Sequence, residues 1–143
     1  MKRICLDTGI LSIFFMENSV EFTRVQKLFQ GSIGNTYEIY ILSPIFSEIF
    51  YHICKIKGKD EARVKILSLK KNFPIKVIDL NDEILCLAGE LKCKHRRLVS
   101  YIDCFSLAFC SLNKIEFHTT EIKLKDIPAE LKERIKMISY KWD

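Results

Sequence analysis

Four acids could do chemistry together in this chain: Asp7, Glu48, Asp103 and Glu121. Asp7 closes the apolar run Ile4-Cys5-Leu6. Glu48 lies just past the first turn of a helix that opens at Ser43-Pro44. Asp103 stands three residues after Ser100, and Glu121 follows Thr119-Thr120. Carboxylates gathered in one place repel, and each raises the pKa of the others. A hard divalent cation with oxygen ligands, Mg²⁺ or Mn²⁺, relieves that repulsion. Such an ion also lowers the pKa of a bound water and neutralises phosphate oxygens. Taken singly, the same acids have plainer uses: Asp7 and Asp103 as helix caps, Glu48 as a solvated helix acid. No Walker loop, G-x-G-x-x-G run or Ser-His-Asp order competes with the acids. His52, His95 and His118 are not spaced as a metal triad, and each reads as structural or exposed.

Whether the acids can meet depends on the elements that carry them. Ile4 to Leu6 reads as a strand buried on both faces. Ile10 to about Gln30 follows as one helix or two, with Glu17-Asn18-Ser19 a plausible break and Ser19 a candidate cap. Glu38 to Leu42 is a second strand. Ser43, a capping hydroxyl before Pro44, starts a helix that sends Ile45, Phe46, Ile49, Phe50 and Ile53 inward. Lys59 or Asp60 to Lys71 is another helix, and Ile75 to Leu80 a third strand. Asn81 caps a helix with Ile84, Leu85, Leu87, Ala88 and Leu91 on its core face. Ser100 caps the helix Tyr101 to Asn113, where Ile102, Phe105, Leu107, Ala108 and Leu112 look buried. Ile115 to Thr119 is a fourth strand, Leu124 to Glu133 loop and short helix, and Ile135 to Tyr140 a fifth strand.

Strands and helices that alternate in this way make an α/β domain with a mostly parallel sheet, expected here as a single domain over residues 1–143. In such a sheet each helix starts on the edge where the strands end. That topology puts all four acids on one edge, and ligands bind in the crevice beyond the strands' carboxyl ends.

Composition sets the remaining bounds. The chain has 143 residues, 48% hydrophobic and 29% charged, enough for a real core. No apolar run reaches bilayer length and no signal peptide is apparent, so a cytoplasmic protein without a membrane partner is expected. The six cysteines show neither C-x-x-C nor zinc spacing, and buried free thiols are expected of most of them. The net charge of +5 mildly favours polyanionic partners. The run Lys92 to Arg97 suits the dipole of a helix end, and its Lys94, Arg96 and Arg97 are candidates for phosphate contact.

The ordered set Ile4-Cys5-Leu6-Asp7-Thr8, Ser47-Glu48, Ser100-Tyr101-Ile102-Asp103 with Phe105-Ser106-Leu107-Ala108, and Thr119-Thr120-Glu121 resembles the PIN-domain ribonucleases. The small prokaryotic members are mostly VapC-type toxins. The resemblance spans nearly the whole chain. It implies a three-layer α/β/α fold, sheet order 3-2-1-4-5, and a Mg²⁺- or Mn²⁺-dependent endoribonuclease that leaves a 5′-phosphate and a 3′-hydroxyl. It makes Asp7, Glu48 and Asp103 metal ligands and catalytic acids, with Thr8 and Thr119 as supporting hydroxyls. The family's fourth acid is usually Asp in a Thr-x-Asp pattern; Glu121 takes that place here, and Asp126 is the other candidate. A co-encoded antitoxin and a homodimer are the partners it implies, beside RNA. A PIN-like module that binds RNA or protein without cutting, and a housekeeping RNA-processing PIN nuclease, are the competing functions.

Overall fold

The structure, a computed structural model, describes residues 1–97, 99–121 and 129–141. Five parallel strands form one sheet: β1 (Lys2–Leu6), β2 (Tyr37–Leu42), β3 (Ile75–Ile78), β4 (Glu116–Thr119) and β5 (Met137–Ser139). Their order is β3-β2-β1-β4-β5. β1 is central, pairing Ile4 with Ile39 on one side and with Glu116 on the other. Its Ile4, Cys5 and Leu6 are fully buried, as the apolar run predicts.

Helices α1 (Thr8–Phe15), α2 (Phe22–Ile33), α3 (Ser43–Lys57) and α4 (Lys59–Asn72) connect the strands on the β2–β3 side and pack on one another. Helices α5 (Asp82–Lys94) and α6 (Tyr101–Asn113) carry the chain from β3 back across to β4. They pack together on the other face, completing three layers. α7 (Ala129–Arg134) precedes β5. Right-handed crossovers force this arrangement, since reversing direction along the sheet moves the helices to the other face. The reversal falls between β1 and β4. Their carboxyl ends are therefore the switch point where an open α/β sheet leaves a crevice.

Several expectations need correction. The first helical region is two helices, broken where the sequence suggested, but Ser19 caps neither; α2 is preceded by Glu21, which makes no side-chain cap. Val20, next to Ser19, is exposed between the helices. Ser43 is not a cap. α3 begins on it directly from β2, with Leu42 in the cap position, so the hydroxyl is already inside the helix and has no free amide to accept from. Leu85 and Leu112 are exposed rather than buried, because the apolar faces of α5 and α6 are narrower than their leucine content suggests. Cys5, Cys104 and Cys110 are buried; Cys54 is half-buried, and Cys86 and Cys93 are exposed. Asn81 and Ser100 do cap, accepting from the amides of Ile84 (2.9 Å) and Asp103 (3.1 Å). Among the described residues no helix is long and apolar enough to cross a membrane.

Candidate functional site

Asp7 sits at the carboxyl end of β1 and caps α1, accepting from the Ile10 amide at 3.1 Å. Its other oxygen accepts from the Thr119 hydroxyl and from the Thr120 amide, the latter at 3.2 Å. Thr119 in turn accepts from the Glu121 amide at 2.9 Å. One hydroxyl thus ties the acid after β1 to the backbone after β4. The side chain of Asp7 is almost wholly removed from water. Burial pushes its carboxyl up to about 6 against the pull of these three hydrogen bonds, and the charge of Glu121 adds to the rise.

Asp103 lies in the first turn of α6, its backbone fixed by the Ser100 cap. Burial pushes its carboxyl up to about 7, and the charge of Asp7 pushes it further; a hydrogen bond from Ser100 opposes them, and Glu121 and Glu48 add smaller pushes. Asp7, Glu48 and Glu121, from three other segments of chain, thus all act on Asp103, and Glu121 acts on Asp7 as well. They do not make a ready cage. Among the described residues no three Asp, Glu, His or Cys side chains stand close enough to enclose an ion. Asp126 lies outside the described residues. The donor set still suits a hard cation: every member is a carboxylate, two are buried against their own charge, and the Thr8 hydroxyl beside Asp7 is buried with no protein partner.

Gly9 and Thr120 escaped the sequence reading as parts of this site. A Cβ on Gly9 would stand 1.8 Å from Thr120 Oγ1 and 2.8 Å from Thr120 Cβ. The missing side chain lets Thr120 close over α1 and aim its amide at Asp7. Gly9→Ala should raise intrinsic helix propensity yet displace Thr120. We expect a large shift of the Thr120 amide resonance and an activity loss of about 10²-fold, the usual cost of a misplacement near 1 Å. An unmoved Thr120 amide would contradict this packing argument.

The basic run links the end of α5 to the start of α6, whose first turn carries Asp103. Cys93, Lys94, His95, Arg96 and Arg97 line a shallow hollow of about 400 Å³. Lys92 is structural, donating to the carbonyls of Arg96 (2.9 Å) and Val99 (2.7 Å). Lys94 pairs with Glu90 at 3.2 Å. His118 is buried away from the acids' network. It bridges Tyr140 and Glu116, each at 2.7 Å, with Nε2–H facing the carboxylate and Nδ1 accepting from the phenol. Burial holds its pKa below the usual value although Glu116 opposes this. Of the two readings the sequence left, structural or exposed, His118 is the structural one.

Acids that crowd one another at the carboxyl edge of a five-stranded parallel sheet define a class, and the PIN domain profile matches residues 4–130. The chain belongs to the PIN-domain family. No curated protein matches it in sequence. Among solved structures, its fold is similar to VapBC2 from Rickettsia felis bound to a DNA fragment from their promoter, with TM-score 0.71, 18% identity and 99% of each chain covered. It is similar to DNA-bound VapBC from Salmonella typhimurium, with TM-score 0.71, 17% identity and 97% of this chain against 98% of that one. VapC20 from Mycobacterium tuberculosis, a sarcin-ricin loop cleaving toxin, matches with TM-score 0.66 and 16% identity over 80% of this chain and 86% of its own.

Proposed function

We propose that the protein is a Mg²⁺- or Mn²⁺-dependent endoribonuclease of the toxin–antitoxin kind, a single PIN domain acting in the cytoplasm. The observation that carries this is Asp103, whose carboxyl is pushed up by burial and by three other acids brought from elsewhere in the chain. Asp7, Glu48, Asp103 and Glu121 would hold the ion, and Glu48 and Glu121 have arms long enough to swing inward. When bound, the ion supplies charge neutralisation at the phosphate and an activated water. Thr119 keeps Asp7 oriented, and the Thr8 hydroxyl is available to a water in the crevice. Lys94, Arg96 and Arg97, beside the Asp103 helix, would hold the RNA backbone. Similarity to toxin–antitoxin complexes supports a cognate antitoxin as partner, and a homodimer is a further expectation.

A second reading, a PIN module that binds without cutting, is favoured by the absence of a preformed three-acid cage among the described residues and by Glu121 in place of Asp. A melting experiment separates the two. Ion binding requires deprotonated carboxylates, so Mn²⁺ should raise Tm, and more at pH 8 than at pH 6. Single-stranded RNA should be cut with Mn²⁺ or Mg²⁺ and left intact in EDTA. No Tm change with Mn²⁺ at either pH, and no cleavage, would give the second reading the lead.

A further inference from the structure

The edge opposite the acids carries the reverse charge. There Lys2, Arg3, Lys114, Arg134 and Lys136 line an open cleft of about 790 Å³ with, among the described residues, two acids, Glu116 and Glu133, in its walls. The cations come from four places: the start of β1, the end of α6, the end of α7 and the approach to β5. Topology gathers them there as surely as it gathers the acids, because this is where the strands begin and the helices finish.

Glu116 is already engaged. It is buried, bonded to His118, and paired with Lys2 at 3.2 Å and Lys136 at 3.3 Å. Those contacts hold its carboxyl low although burial raises it. Arg3 donates to a backbone carbonyl, that of Asn113, at 3.1 Å. Lys114 and Arg134 are exposed, and among the described residues neither has a carboxylate partner. Lys114 is also held at φ 54, a left-handed position that projects it past the helix end. The helix termini here contribute only about half a negative charge each. Five cations against two acids therefore leave the cleft positive.

We propose that this cleft is a second footing for RNA, binding the phosphate backbone of a substrate that extends beyond the acid-lined crevice. Cations spread over several elements around an open cleft fit a chain of spaced phosphates better than one small anion, which would need convergent donors in an enclosed pocket. This rests on the RNA reading of the crevice, but its test does not require cleavage.

The test is fluorescence anisotropy of a labelled, unstructured single-stranded RNA of about 30 nucleotides in EDTA, over a range of salt. The double variant Lys114→Glu/Arg134→Glu is compared with Lys59→Glu/Lys71→Glu, which makes the same net-charge change at exposed positions of α4. The first should bind at least about tenfold more weakly than wild type, and its log–log salt slope should shrink by about 1.4. The second should stay near wild type. Equal weakening by both, or by neither, with unchanged circular dichroism melts, overturns the cleft as a binding site. If wild type binds through the cleft but never cuts RNA, the cleft stands and the nuclease reading falls. If wild type cuts while the Lys114/Arg134 variant binds normally, only the cleft falls.

Discussion

Asp103→Asn is expected to lower RNA cleavage by on the order of 10³-fold while the protein becomes harder to unfold. The two effects share one cause. Asp103 has an ordinary carboxyl pKa of 3.8 when unfolded and about 7 when folded. A group whose folded pKa is raised contributes its stability in the protonated form, below about pH 4, and loses it as pH rises through 7. At pH 8 the folded protein therefore carries the cost of an ionised, crowded carboxylate. Asn keeps the shape and the place in the first turn but not the charge. Direct conversion of the shift would give about 4 kcal/mol; partial exposure to water reduces the expected gain to about 1–2 kcal/mol at pH 8, vanishing near pH 4. Urea unfolding in EDTA at the two pH values measures the first effect, and cleavage with Mn²⁺ the second. A variant that cuts as well as wild type with the same metal dependence would refute the proposed role of Asp103.

Asp7→Ala should act in the opposite sense on stability. It removes the acceptor for the Ile10 and Thr120 amides and the Thr119 hydroxyl, in a place with almost no water to replace it. Buried donors left unmade, together with a lost cap, amount to about 3 kcal/mol at pH 5. The loss should be smaller at pH 8. The Asp7 pKa, about 6 when folded, means that the wild type already bears the cost of a buried charge there. Asp7→Asn should fall between, since its oxygen can still cap α1 while its amide nitrogen opposes the Thr120 N–H. Cleavage should be lost in both variants. A larger loss for Ala at pH 8 than at pH 5 would contradict this account.

Much of the fold was legible because its signals are local. The run Ile4-Cys5-Leu6 is too short and too apolar to be anything but a covered strand. Asn81 and Ser100 stand where their side chains can reach the third amide, and both do. Alternation of elements then supplies the parallel sheet, and the parallel sheet puts every strand end on one edge. The misreadings were also local in origin. Ser43 looks like a cap only if the chain leaves the strand before the helix begins, and here it does not. Leu85 and Leu112 follow helical spacing, but which apolar residues face the sheet depends on how a helix is rolled against its neighbours, and that is settled by packing.

The sequence by itself determined that the acids gather at the carboxyl edge of a parallel sheet, and it determined membership of the PIN-domain family; the cations at the amino edge emerged only with the structure. Handedness and alternation require no side-chain detail, so they can be read from the order of the residues. Only the tertiary structure decided that Gly9 is absent a side chain for the sake of Thr120, that Thr119 joins Asp7 to Glu121, and that Asp103 is crowded enough to hold its proton near pH 7. Apart from the local Thr119–Glu121 bond, these are contacts between residues more than a hundred positions apart, or in different layers. Their strength depends on ångström-scale approach and on exclusion of water, neither of which spacing along the chain encodes.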